Sequence, residues 1–364
     1  MDPNLDKYLK ALSSKSCATD VDLSLLNNPN LEAERQTQDF IQRLVNLSSL
    51  LSDVTTMTRS ECRGEIPRFD ACQTPVVGAC AQPCLPNFKI DHDYLTYDLE
   101  KYVVAHSYDQ DMIDCNKFGP RIRDIAMDML MTSMRNKMEQ AAIMSDSDIP
   151  TGADYSQDNN LLGVNDGWIK LACNCTPEAQ VIDAQGQGPS TNLFQAARKI
   201  LPPRYRGNRS AYQFIGGPSL MDWWAEEQSY RPTDKGDMAC ESGMGGRIFG
   251  NRFYEVAQWP EYLPYAVGGE DKEVTHILFT PLTNLIHIMQ RQLQFRTEYD
   301  FTCDRYLTVG FFRQDFLIAD PNAVVLIKNV DICADPWSGC VKPAMDECAI
   351  NHNPCPCPVE DPAS

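Results

Sequence analysis

Cysteine is the residue type with the widest chemistry in this chain, because fifteen occur in 364 residues. Thiols can bind zinc, form disulfides or act as nucleophiles. An odd total leaves at least one thiol free or paired with another chain. Nine lie in two clusters, which we take as candidate disulfide or inter-subunit cysteines: Cys62, Cys72, Cys80, Cys84, Cys333, Cys340, Cys348, Cys355 and Cys357.

Zinc binding is the first alternative for these thiols. Structural zinc sites favour two thiolates separated by two to four residues. The second cluster, from Cys333 to Cys357, instead has the spacing C-x₆-C-x₇-C-x₆-C-x-C. The chain contains no C-x-x-C, and outside the second cluster only Cys80 and Cys84 have a zinc-like spacing. The spacing therefore favours disulfides or free thiols over metal, and we assign no metal ligands. A cysteine-rich metal-binding protein stays an alternative function that metal analysis of the purified chain would test.

Catalytic signatures are weak. None of the five histidines stands in H-E-x-x-H or beside a nucleophile motif, and we predict that His287 lies on the polar side of a helix. The glycines between Gly243 and Gly250 lack the Gly-Lys-Ser/Thr of a phosphate-binding loop, so they predict a tight loop. We expect neither an enzyme nor a cofactor.

The composition describes an acidic globular protein with 43% hydrophobic residues and a net charge of −18. No apolar run approaches the roughly 20 residues of a membrane span, and the first residues lack the apolar core of a signal peptide, so we expect synthesis in a cytoplasm without membrane contact. The net charge argues against a dedicated nucleic-acid binder. One basic segment, from Arg198 to Arg209, predicts either a solvated turn paired with acidic neighbours or a loop that faces a subunit or nucleic acid.

Hydrophobic periodicity indicates the elements. A helical pattern runs from Pro120 to Met144 with an apolar face that includes Met129, and a second from Thr280 to about Leu293. Before the first helix, two strand-like segments flank a tip rich in proline, glycine and cysteine between Thr74 and Pro86. After the second come three strand-like segments: Tyr306–Phe312, Phe316–Ala319 and Val324–Ile327.

This order of arm, long excursion, long helix and closing strands, with the pattern D-x-x-x-x-D-Pro-x-Ala from Asp315, resembles the major capsid protein of tailed double-stranded DNA phages. The resemblance implies the α+β fold of the tailed-phage and herpesvirus shells, known as the Hong Kong phage-type capsid fold. It implies the following segments: an N-terminal arm (1–59), an extended loop (60–106), a peripheral domain with the spine helix (107–200), a mainly apical domain (201–270) and a return to the peripheral domain (271–330). A Cys/Pro-rich extension (331–364) follows, which has no counterpart in the family pattern.

The function implied by the resemblance is self-assembly of pentamers and hexamers into an icosahedral phage head around packaged double-stranded DNA. Scaffold, portal and cement proteins are the further partners expected, and the virion is the expected location. An encapsulin-like compartment that holds a protein cargo is the alternative within the same fold. The family's lysine–asparagine cross-link cannot be carried over, because nothing identifies an acceptor for Lys89 or Lys101.

Overall fold

The structure is a computed structural model that describes residues 49–69, 92–110, 122–152, 155–229, 247–267, 270–290 and 294–332. The predicted N-terminal arm before residue 49, the tip of the excursion and the C-terminal extension after residue 332 lie outside these ranges. Helices and strands mix along the chain, as the α+β prediction requires. The helices are α1 (Ser49–Asp53), α2 (Ile122–Met144), α3 (Gln157–Leu162), α4 (Trp168–Cys175), α5 (Thr191–Ile200), α6 (Pro203–Arg206) and α7 (Pro218–Ser229).

The strands form two large sheets and one hairpin. In chain order they are β1 (Thr55–Arg59), β2 (Arg63–Phe69), β3 (His92–Asp98), β4 (Glu100–Asp109), β5 (Val181–Asp183), β6 (Tyr212–Gly216), β7 (Arg247–Ile248), β8 (Asn251–Glu255), β9 (Leu263–Val267), β10 (Glu270–Pro281), β11 (Leu285–Gln290), β12 (Gln294–Asp300), β13 (Arg305–Ile318) and β14 (Val325–Asp331).

The first sheet has the order β1-β11-β13-β12, with β4 paired to the other edge of β13. β1 runs parallel to β11, and the remaining pairs are antiparallel. β13 is one strand of 14 residues where the sequence predicted two. The charged side chains of Arg313 and Asp315, which suggested an interruption, are bonded on the side of the sheet that the β2–β3 hairpin covers.

The second sheet has the order β5-β14-β10-β6-β8-β7, with β9 paired to the start of β10. Its residues alternate between two cores, as a sheet covered on both faces requires. Leu278 and Leu326 face the core that contains α2 and α4. Ile277 and Phe279 face the opposite core, where Phe194 of α5 packs edge-on against Phe214 at a centroid distance of 4.9 Å.

The long helix α2 confirms the predicted spine helix over its described part. Its sequence contains no proline or glycine, and alanine and methionine favour the helical state. The buried side chains follow the predicted line except at one position. Met134 and Met138 are buried as expected, but Met129 is 66% exposed and Met131 takes its place in the core. The predicted apolar face is therefore right at Leu130, Met134 and Met138 and wrong at Met129.

The predicted helix from Thr280 to Leu293 is wrong. Residues up to Pro281 belong to β10, a single 3₁₀ turn follows at Leu282–Asn284, and the next residues form β11. Every residue of β11 except the last is buried, because both faces of this central strand are covered. A strand covered on both faces loses its period of two, so its apolar run can imitate a helix. His287 is consequently fully buried instead of lying on a polar face.

Candidate assembly surfaces

The β2–β3 hairpin begins the predicted extended loop, and its base is fixed to the first sheet. Tyr97 and Leu99 are buried against Ile286 and Ile288 of β11. Below them, Arg63 pairs with Asp98 at 2.8 Å from Nε to Oδ2. The apolar contact covers the sheet face opposite to α2, and so the hairpin base is part of the subunit core.

Two polar contacts add to this attachment. The backbone N–H of Asp98 donates to Oδ2 of Asp315 at 2.9 Å, and Nη1 of Arg68 donates to the carbonyl oxygen of Ala319 at 3.1 Å. Burial of the Asp315 carboxyl raises its pKa to about 6, although the backbone N–H groups of Asp98 and Phe316 that it accepts from act in the opposite direction. The hairpin base is thus held partly by a carboxylate that titrates well above the usual range for aspartate.

Cys62 is the one candidate cysteine within the described residues. It lies just before β2, half-buried, and its thiol is free. Its Sγ accepts a hydrogen bond from Nη1 of Arg313 at 2.8 Å, and its carbonyl oxygen accepts from the N–H of Leu99 at 2.7 Å. The proposed pairing of Cys62 therefore stays a prediction, and the partner would come from outside these ranges. The other candidates lie outside the described residues: Cys72, Cys80, Cys84, Cys333, Cys340, Cys348, Cys355 and Cys357.

On the opposite face of the first sheet, His287 is buried among side chains of the core. Its ring stacks on Phe316 at a centroid distance of 5.3 Å, and Nε2 lies 3.3 Å from Oε1 of Gln314. Burial lowers the pKa of His287 to about 4, so the ring is neutral at pH 7. Among the described residues, the ring contacts the amide of Gln314 and the ring of Phe316, and no nucleophile or carboxylate is bonded to it.

A surface cleft of about 610 Å³ separates β4 from α2 and α3. Apolar side chains such as Met134 and Phe312 form its walls, and the ion pair of Lys137 with Asp158, 2.8 Å long, closes one side. The cleft holds two lysines and one acid but no histidine, cysteine or serine in a catalytic pairing. Its lining supplies apolar contact area rather than reactive groups.

Basic side chains from two separate segments meet at one corner of the second sheet. α5 and α6 bring the predicted basic segment beside the β7–β8 hairpin, where Arg198 Nη1 donates to the carbonyl oxygen of Phe249 at 3.2 Å. Arg247 and Arg252, which no sequence pattern connects with this segment, face each other across that hairpin. We call the resulting patch the basic hairpin surface; it comprises Arg198, Lys199, Arg206, Arg209, Arg247, Arg252 and the aromatic Phe249.

Metal and membrane signatures are absent from the part of the chain that the structure describes. No group of three or more His, Cys, Asp or Glu side chains there could hold a metal ion. None of the helices in these ranges is long and apolar enough to cross a membrane. The described surfaces offer shape, charge and apolar area, which are the properties of contacts between macromolecules.

One curated relative shares sequence with the chain, while no protein-family model matches it. YqbE of Bacillus subtilis (strain 168), which bears the provisional name of prophage capsid protein, is 23% identical over 209 residues. The alignment covers 57% of this chain and 64% of that relative, which is less than two thirds of its length.

Solved structures match over more of the chain. A chain of the satellite phage P4 procapsid, whose structure includes the size determination protein Sid, superposes with a TM-score of 0.59 at 14% identity, covering 91% of this chain and 98% of that one. The mature capsid of bacteriophage PhiM1 superposes with a TM-score of 0.51 at 10% identity, covering 77% of this chain and 86% of that one. The capsid of the empty GTA particle superposes with a TM-score of 0.50 at 12% identity, covering 78% of this chain and 90% of that one. The chain therefore has the phage capsid fold that its resemblance implied.

Proposed function

We propose that the chain is the major capsid protein of a tailed phage and self-assembles as pentamers and hexamers into an icosahedral head. The observation that carries the proposal is the fold shared with a procapsid chain over 91% of this chain and 98% of the other. The sequence relation to a protein named for a prophage capsid supports the same function independently of the superposition. In this role the chain is a structural protein of the virion without enzymatic activity.

The partners follow from the same role. Other copies of the chain supply the main contacts, and packaged double-stranded DNA fills the shell without sequence-specific binding. A net charge of −18 on every copy supports this, because an acidic wall repels phosphates and lets DNA move during packaging. Scaffold, portal and cement proteins are the further partners.

We also propose the division of the chain into arm, extended loop, peripheral and apical segments at the boundaries that the resemblance implies. The β2–β3 hairpin within residues 60–106 and the helix α2 within 107–200 support the first boundaries. β10 and β14, from the returning segment 271–330, complete the second sheet. The returning segment would accordingly connect the two regions.

Expression followed by sedimentation and negative-stain electron microscopy tests the proposal. The purified chain, alone or with its scaffold protein, should form capsomers or closed shells. A protein that stays monomeric at high concentration, with no capsomer on addition of scaffold, would contradict it. Nuclease-protected DNA in shells from infected or induced cells distinguishes a phage head from the encapsulin-like alternative, whose shells would contain a protein cargo instead.

A further inference from the structure

The basic hairpin surface concentrates positive charge on an acidic chain. Lys199, Arg206, Arg209, Arg247 and Arg252 are all exposed. Within the described residues, no carboxylate oxygen lies within 4 Å of these five side chains. The predicted acid pairing is therefore present for Arg204, whose Nη2 lies 3.9 Å from Oδ2 of Asp320, but these five cations have no such partner among the described residues.

Two of the guanidinium groups fix the geometry of the surface. Arg206 donates through Nε and Nη2 to the carbonyl oxygens of Leu201 and Lys199, and so it satisfies the end of α5. Arg198 joins α5 to the turn of the β7–β8 hairpin. Partial burial, together with the nearby charges of Arg209 and Arg206, lowers the pKa of Arg198. The fold thus maintains repulsion among these arginines instead of relieving it.

An exposed aromatic residue stands at the tip of the same hairpin. Phe249 and Gly250 form its two-residue turn, with φ angles of 51° and 89°. Such turns favour asparagine or glycine, and a bulky residue with a positive φ is strained. The Phe249 side chain is nevertheless 40% exposed. Strain of this kind persists at sites of function, and aromatic and arginine side chains together are typical of the centres of protein interfaces.

The charge balance indicates which partner this surface fits. Fifty acidic residues against 32 basic ones leave each copy strongly negative, so copies repel one another except where opposite charges meet. This cluster of cations, which has no carboxylate partner among the described residues, attracts the acidic surface of another copy. Nucleic acid is the weaker candidate, since the rest of the chain repels phosphate. Because like charges repel across a two-fold axis, a contact of this patch joins two different surfaces, and contacts of that type build rings when their rotation closes.

We propose that the basic hairpin surface docks on a carboxylate-rich surface of a second copy of this chain, with Phe249 at the centre of the contact. The inference rests on the proposed function and extends it, since a head-to-tail contact of this kind would build the rings of capsomers. Arg198 and Arg206 position the surface, whereas Lys199, Arg209, Arg247 and Arg252 present the charges to the partner.

Carbodiimide cross-linking of mixed copies tests the contact directly, because the reagent joins a lysine amine to a carboxylate that touches it. Equal amounts of ¹⁴N- and ¹⁵N-labelled protein are assembled, cross-linked and analysed by mass spectrometry. We expect mixed-label peptides that join Lys199 to an aspartate or glutamate, and we expect their loss in unassembled subunits. Assembled shells in which Lys199 is joined only to its own copy would overturn the inference.

Charge reversal is the second test of the docking surface. Arg209→Glu with Arg252→Glu should lower capsomer yield at least tenfold, with unchanged circular dichroism. The control Arg59→Glu with Arg296→Glu changes the net charge equally at exposed positions of the first sheet, and we expect less than a twofold loss. If Arg209→Glu with Arg252→Glu misfolds, Arg209→Ser with Arg252→Ser repeats the test without added acids. Equal losses in reversal and control pairs would overturn the inference.

Two further outcomes separate this inference from the function on which it rests. Wild-type protein that never forms oligomers contradicts the capsid function itself. If the wild type forms shells and the variant Arg209→Glu with Arg252→Glu forms them at the same yield, only the docking surface is contradicted. A 30-base-pair DNA duplex is offered to the same proteins. If it binds wild-type subunits but not Arg209→Glu with Arg252→Glu, and that variant still assembles, the surface belongs to nucleic acid and the inference is overturned.

Discussion

At the scale of single residues, the first sheet carries the half-buried carboxyl of Asp315 and the buried imidazole of His287 on opposite faces of paired strands. Asp315 of β13 lies on the side of the hairpin, and His287 of β11 lies on the side of α2. Burial disfavours the charged form of both groups, and therefore raises the pKa of the acid and lowers that of the base. Their effects on stability have opposite signs within the same range of pH.

The first prediction concerns Asp315→Asn. The folded carboxyl titrates at about 6, above its ordinary value, so between pH 4 and 6 the folded state binds more protons than the unfolded state. This carboxyl therefore stabilises less as pH rises. Relative to wild type, Asp315→Asn should gain on the order of 2 kcal/mol in unfolding free energy between pH 4 and 7. Urea unfolding of unassembled subunits measures it, and a pH-independent difference would contradict the pKa.

His287→Gln should show the reverse. The folded imidazole titrates at about 4, below its ordinary value, so between pH 4 and 6.5 the unfolded state binds more protons and acidification destabilises the protein. The variant should lose this sensitivity. On moving from pH 7 to pH 4, its unfolding free energy should rise by about 3 kcal/mol relative to that of the wild type. The same urea titrations test it; parallel pH profiles for wild type and variant would show that folding leaves the pKa of His287 unchanged.

At the scale of elements, a glycine sets the approach of α4 to the end of α2. The N–H of Gly167 donates to the carbonyl oxygen of Ser145 at 2.7 Å, and a Cβ added there would lie 2.7 Å from the Ser145 nitrogen and 2.8 Å from the Ile143 oxygen. Gly167→Ala should therefore lower the unfolding free energy by about 1–3 kcal/mol. Gly207→Ala is the control, since that Cβ meets no atom within 4 Å. Equal thermal midpoints for the two variants would refute the packing argument.

The hairpin provides a prediction about assembly. Its base is buried against β11, whereas the segment from Cys72 to Pro86, outside the described residues, has a sequence punctuated by proline and glycine. Replacement of that segment by a short Gly-Ser turn should leave near-native circular dichroism and sharply reduce the yield or stability of shells. A misfolded variant would place the segment in the subunit core, and shells of unchanged stability would show that it ties no subunits together.

The elements that the sequence predicted well are those with one covered face. The spine helix α2, which packs on the first sheet with one face, was predicted with the right type and the right end at Met144. β11 failed because the hairpin covers its second face, a contact between distant segments that periodicity cannot reveal. The sequence predicted only the segment from Arg198 to Arg209 of the basic hairpin surface, for the same reason. Arg247 and Arg252 join it only through the pairing of β8 with β6.

At the scale of the whole molecule, reduction should weaken mature particles. A bridge that closes a loop of about 15 residues contributes about 3 kcal/mol, and an oxidising exterior favours such bridges once particles leave the cell. Non-reducing mass spectrometry should find disulfides among the nine candidate cysteines, and dithiothreitol should lower the thermal midpoint of shells. Cys62 is free within the described subunit, so we expect its bridge to form late. Fifteen free thiols in mature particles would refute the prediction.

The parallel pairing of β1 with β11 has a consequence for the time course of synthesis. It joins Thr55 to Ile286, and β11 in turn needs β13 beside it. At about 5–20 residues per second, a ribosome takes on the order of 10–50 s between emergence of the first strand and its partner. Throughout that interval β1 has no sheet to join. A nascent chain therefore has no complete first sheet to present to another copy during that interval.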